Sequence, residues 1–171
     1  MSRPRNFARD QRGAAAVEFA LMLPILVVLQ IGSVELVKAF EAQRRIAHVA
    51  AAMADVVSQG QTVSTAQLTD AMAAGQILVD PLPTNNLGLR ISSMTANAQG
   101  VVSMDWTTSQ NWTQAGQPSV PTGYLAAGES AIVADVSYAY TSSTKYVLPN
   151  TITFVRHAYI RPRLSNQVAK V

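Results

Sequence analysis

The stretch GAAAVEFALMLPILVVL, Gly13 to Leu29, is almost entirely hydrocarbon and contains a single carboxylate, Glu18. The apolar run continues to Val34. As a helix rising about 1.5 Å per residue, the 21 residues of 14–34 would cross the ~30 Å hydrocarbon core of a bilayer. The sequence therefore predicts a transmembrane helix that carries a charge where charges are costly.

Four arginines precede this stretch: Arg3, Arg5, Arg9 and Arg12. By the positive-inside rule they favour a cytoplasmic N-terminus, so we expect the rest of the chain on the opposite side of the membrane. An ordinary secretory signal peptide would share the charged start and the apolar stretch. Glu18 and Pro24 interrupt this one, however, and no good A-x-A-like cleavage site follows it.

The helical pattern continues past the predicted span. Apolar residues recur near i, i+3, i+4, i+7 spacing: Leu36, Phe40, Ile46, Val49, Ala50, Met53 and Val57. No Gly or Pro follows Val34 until Gly60. We therefore expect one helix over 14–58, transmembrane over 14–34 and amphipathic over 35–58. Pro24 has no N–H for the carbonyl of Ala20 and is expected to kink or soften this helix locally.

Residues 59–171 predict an α+β head. Ser64 to Gln67 reads as a capping box that opens a short helix over 65–78, with Leu68, Met72 and Leu78 as its buried stripe. Strand-like runs follow at 89–95, 101–107, 130–141 and 151–160, with a hairpin turn at 97–100 and a polar loop over 110–123. We expect about four antiparallel strands, with the long helix packed on one face of the sheet.

The composition favours no catalytic site. Without cysteine the chain has no disulfide and no thiolate chemistry, and no nucleophile elbow, phosphate loop or metal-ligand spacing occurs. Asp105 and Asp135 are interpreted as solvated strand-face residues, His48 as exposed and His157 as structural. We expect no enzyme activity, catalytic residue, metal, cofactor or small-molecule substrate, an exported hydrolase with an unrecognised site being the enzymatic alternative.

The basic character is confined to the N-terminus. Residues 1–13 carry four arginines and one aspartate, whereas 14–171 carry nine basic and nine acidic side chains. The chain after the first 13 residues therefore has no charge excess for a nucleic-acid backbone, and we expect no nucleic-acid partner.

The sequence combines four features: an arginine-rich leader, a glycine, a glutamate five residues later and an apolar helix. The same combination occurs in a known protein family. The run QRGAAAVEFALMLP, 11–24, resembles the TadE-like minor pilins and pseudopilins of the tight-adherence (Flp, type IVc) pilus system. Two weaker stretches support the resemblance: 128–130 leading into 134–138, and YIRPR at 159–163.

The resemblance implies that a prepilin peptidase cuts between Gly13 and Ala14 and removes residues 1–13 as a leader peptide. It implies that Glu18 and Phe19 act in assembly, where Glu18 could meet the new α-amino group of Ala14 within one helix or on a neighbouring subunit. The implied partners are the inner membrane, the peptidase, other pilins and the assembly platform. The alternative is a single-pass periplasmic binding or structural module that is neither processed nor assembled.

Overall fold

The computed structural model describes residues 12–171, and its longest element is helix α1, Arg12–Ser58. At 47 residues it is about 70 Å long. It runs through Pro24 without interruption and ends at the residue expected from the sequence. The prediction of one continuous helix is confirmed.

The head adds one α-helix, a short 3-10 helix at Thr84–Asn86 and six strands: β1 (Thr62–Val63), α2 (Thr65–Leu78), β2 (Leu87–Ala96), β3 (Val102–Gln110), β4 (Ser130–Tyr140), β5 (Ile152–Ile160) and β6 (Ala169–Lys170). The main sheet has the order β3-β2-β4-β5 and is antiparallel throughout, which confirms the α+β class. The parallel pair of β1 with β6 was not anticipated, because two-residue strands carry no periodic signal.

Helix α2 begins as its sequence predicts. The Ser64 hydroxyl accepts from the Gln67 backbone N–H at 3.2 Å, and the Gln67 side chain accepts from the Ser64 N–H at 2.8 Å. Leu68 and Met72 are buried, but Leu78 was assigned wrongly: it is 38% exposed, and the C-cap residue Val79 is buried instead. The helix turns too far by Leu78 for that side chain to reach the core.

The C-terminal half of α1 packs across β4 and β5. Ile46, Val49, Ala50, Met53 and Val57 form the buried stripe that the spacing predicts. Near the N-terminal end of this contact the prediction was wrong, since Leu36 and Phe40 are exposed and the stripe continues instead through Ala42, Ala39 and Glu35. The small side chains of Ala39 and Ala42 let the head approach the helix backbone closely. A pattern of hydrophobic residues alone does not show that small residues are favoured on this face.

The opposite face of the sheet is covered by the segment between β3 and β4, residues 111–129. Val120, Tyr124 and Leu125 pack against Ala96 and Ala131 as a small second core. The central strands β2 and β4 are consequently buried on both faces. The sequence indicated a polar loop here, and the structure shows that this loop covers the second face of the sheet. We call residues 111–129 the roof.

Candidate functional site

Residues 13–30 of α1 form an exposed apolar surface. None of these residues is covered by the head, and the segment is about 27 Å long. Among the described residues, one helix is long and apolar enough to cross a membrane, and its most apolar window lies wholly on the surface. An apolar surface of this size is costly in water, so it marks a membrane or protein contact.

The predicted processing and assembly residues lie on this surface. Gly13 and Ala14 are exposed, and a Cβ added at Gly13 would meet nothing within 4 Å. Glu18 and Phe19 are exposed, and Glu18 makes no hydrogen bond or ion pair to any side chain within 13–171. Arg3, Arg5, Arg9 and the side chain of Arg12 lie outside the part of the chain that the structure describes, as does most of the predicted leader.

Glu35, just beyond this surface, is enclosed by the loop between β4 and β5, residues 141–151. Only 3% of the residue is exposed. One carboxylate oxygen accepts from the Thr144 hydroxyl, from Ser142 Oγ at 2.7 Å and from the Tyr146 N–H at 3.0 Å. The other accepts from the N–H groups of Val147 at 2.7 Å and Leu148 at 3.1 Å. We call this loop, held on Glu35, the collar.

The collar is built to hold an anion. Lys145 is in the left-handed region with φ 57°, which turns three successive N–H groups towards Glu35 as a concave nest. The Thr144 hydroxyl, with Ser142 and the backbone N–H groups, lowers the pKa of Glu35 from 4.5 to about 2, against the opposing effect of burial. Tyr140 lies near enough that its own pKa is raised, first by burial and then by the Glu35 charge.

Glu35 should therefore make the free energy of unfolding depend on pH in the acid range. Because its pKa is lower in the folded chain, its stabilisation is complete above about pH 4.5 and is lost as the pH falls towards about 2. Glu35→Gln should be less stable at neutral pH and should lack this component. Urea titrations of both full-length proteins in detergent, followed by tryptophan fluorescence, measure it. A difference between the two proteins that stayed constant on acidification would contradict this assignment.

A second charged cluster lies under the roof of the sheet. Asp135 on β4 is 1% exposed; Arg90 on β2 donates to it through Nε at 2.7 Å, and the Arg90 Nη2 lies 2.6 Å from the same oxygen. The other carboxylate oxygen is 2.7 Å from Nδ1 of His157 on β5. Arg90 also donates to the Gly116 carbonyl at 2.8 Å and lies 4.5 Å from the ring centroid of Trp112.

The interpretation of Asp135 as a solvated residue was wrong. The register aligns Arg90, Asp135 and His157 across three neighbouring strands, and the roof covers Arg90 and Asp135, whereas the His157 side chain is half exposed. A signal was present in the sequence, because Arg90 and Asp135 each stand in the middle of an otherwise apolar or small-residue run. Asp105 and His48 are exposed as expected, and within residues 13–171 no three acidic or histidine side chains converge to bind a metal.

The two weaker stretches of the family resemblance contact each other. Glu129 forms a 2.9 Å ion pair with Arg161, and the Arg161 side chain also donates to the Tyr124 carbonyl. Arg163 pairs with Asp55 near the end of α1. These ion pairs connect the residues that follow β5 to the roof and to the long helix. The arginines at the end of β5 therefore make structural contacts.

A long helix whose first part is bare and apolar, and whose second part packs on a small antiparallel sheet, defines a membrane-anchored protein with an α+β head. Residues 13–55 match the family model described as TadE-like protein. The match agrees with the resemblance drawn from 11–24 and is consistent with a TadE-like protein of the tight-adherence pilus system. The match covers most of α1 and stops short of the sheet. No curated protein and no solved structure matches the chain.

Proposed function

We propose that this chain is a minor pilin or pseudopilin that primes or assists assembly of a tight-adherence pilus. The observation that carries the proposal is an overlap of positions. The TadE-like match, residues 13–55, includes the whole exposed apolar surface of 13–30, and that surface contains one carboxylate, Glu18. A helix that served only as an anchor would gain nothing from a carboxylate in the bilayer.

In this proposal a prepilin peptidase cuts between Gly13 and Ala14 on the cytoplasmic side of the inner membrane. The cut removes all four leader arginines and leaves the apolar helix on the mature chain, whose basic and acidic side chains are equal in number. The head lies in the periplasm, and the mature helix can pass from the bilayer to other pilins and to the assembly platform because no leader charge holds it at the cytoplasmic surface.

Intact mass spectrometry of the membrane-extracted chain tests the cleavage. We expect loss of residues 1–13 in cells that contain a prepilin peptidase and an intact N-terminus in cells that lack it. Gly13→Val should stay uncut but still insert, since a Cβ at this position meets no atom of the described residues within 4 Å and the larger side chain should obstruct only the peptidase. Ala16→Val, a substitution at an exposed position on the same helix, should be cut normally.

The outcome separates the two candidate functions. Maturation of Gly13→Val at the wild-type rate would remove the basis for the prepilin reading. A chain that keeps residues 1–13 even with the peptidase present would be the unprocessed, anchored periplasmic module instead.

A further inference from the structure

The collar lies at the depth of a lipid headgroup layer. Gln30 is the last residue of the uncovered apolar surface, and Glu35 follows it by about 7 Å along the helix axis. A bilayer is about 30 Å thick in its hydrocarbon core and about 40–45 Å with its headgroups, so each headgroup layer is comparable in depth to that rise. A loop fixed to Glu35 therefore falls where the proposed span leaves the hydrocarbon.

The collar is fixed to the helix at two levels. The carboxylate of Glu35 accepts from three of its backbone N–H groups, and Val147 packs against Gly32, which lies three residues earlier in the last turn of the predicted span 14–34. A Cβ at Gly32 would lie 2.9 Å from Val147 Cγ2, so glycine permits this approach. These two contacts fix the position of the collar along the axis of α1.

The outer side of the collar has the composition of a membrane interface. Tyr146 is 73% exposed, although its backbone N–H is committed to Glu35, and its neighbours Lys145 and Val147 are exposed as well. Tyrosine is enriched at headgroup level because its ring is apolar and its hydroxyl is polar. Lysine places its alkyl stem along apolar surface and its ammonium among phosphates. Lys38, which shares a small cavity with Ser142 and Thr144, adds a second cation beside the loop.

We propose that the collar is a second membrane contact, which seats the head on the periplasmic surface of the bilayer with Lys145, Tyr146 and Val147 in the lipid headgroup layer. The inference rests on the proposed membrane span and extends it to the head. While the chain is in the membrane, Glu35 and the collar hold the head at one height above the lipid. Extraction into a pilus then requires Tyr146 and its neighbours to leave the headgroups.

Cysteine protection tests this contact, because the chain contains no native cysteine. The full-length variants Tyr146→Cys, Ile77→Cys and Leu26→Cys are placed in nanodiscs of phosphatidylethanolamine and phosphatidylglycerol, where both faces are open to reagent. The measurement is the rate of reaction with a charged, membrane-impermeant maleimide. Ile77, on α2 in the head, is the matched control because its exposure of 76% is close to the 73% of Tyr146 in the absence of lipid. Tyr146→Cys leaves the collar intact, since Tyr146 contacts Glu35 through its backbone.

We expect the cysteine at 146 to react severalfold more slowly than that at 77, and the cysteine at 26 to be the slowest. Equal rates at 146 and 77 with protection at 26 would overturn the collar contact and leave the span intact. If position 26 reacted as fast as position 77, the span itself would be refuted, and the proposed function and the collar contact with it.

Discussion

Replacing Asp135 with alanine is expected to lower the free energy of unfolding of the head by about 3–5 kcal/mol, because it leaves Arg90 buried without its counter-charge. Domains are stable by only about 5–15 kcal/mol, so the loss is a large share of the total. His157 loses its carboxylate partner as well, but its side chain is half exposed and water can replace it. Urea unfolding of the full chain in detergent measures the change through Trp106 and Trp112, both of which lie in the head.

Asp105→Ala is the matched control for this experiment. Asp105 accepts from Ser93 at 2.9 Å and from Thr95 at 2.7 Å on the neighbouring strand, but it is exposed, so its loss should cost about 1 kcal/mol or less. The double variant Arg90→Met with Asp135→Leu should be more stable than Asp135→Ala alone, since it removes both buried charges together. Asp135→Ala with wild-type stability would show that the pair does not support the roof.

Glu18→Ala is expected to abolish pilus assembly while improving insertion slightly or leaving it unchanged. A carboxylate at the centre of a membrane helix costs about 2.5–3.5 kcal/mol, and less near an end, where Glu18 lies. In the proposed mature protein the partner that offsets this cost is the protonated α-amino group of Ala14. Paired across two subunits in hydrocarbon, the two charges would fix the axial register of neighbouring helices. Without Glu18 that register is lost, so piliation and surface adherence should fall to the level of a deletion strain.

Glu41→Ala is the control for the charge alone, because Glu41 is an exposed carboxylate on the same helix outside the proposed span. It should assemble normally. Both variants should be cut after Gly13, as intact mass can establish, so that a failure of assembly is not mistaken for a failure of processing. Normal piliation with Glu18→Ala would exclude the pairing and leave the position of this carboxylate unexplained.

The elements with strong periodicity were predictable from the sequence. The end of α1 at Ser58, the capping box at Ser64 and the four long strands follow from spacing, from cap chemistry and from β-branched composition, all of which are local properties. The face of α1 that packs on the sheet was predictable only where large apolar side chains lie on it. At Ile46 to Val57 they do, whereas at Glu35 and Ala39 the buried side is set by how closely the head approaches.

By itself, the sequence determined that an apolar helix with one carboxylate precedes an α+β head, because hydrophobic length, helical period and strand alternation are written in consecutive residues. Only the tertiary structure decided which charges are buried. Glu35 meets donors more than a hundred positions later in the chain, and Asp135 meets Arg90 through strand register and the cover of a polar loop. Hydrogen-bond geometry and exclusion of water depend on contacts between distant segments, and no local pattern of residues encodes those distances.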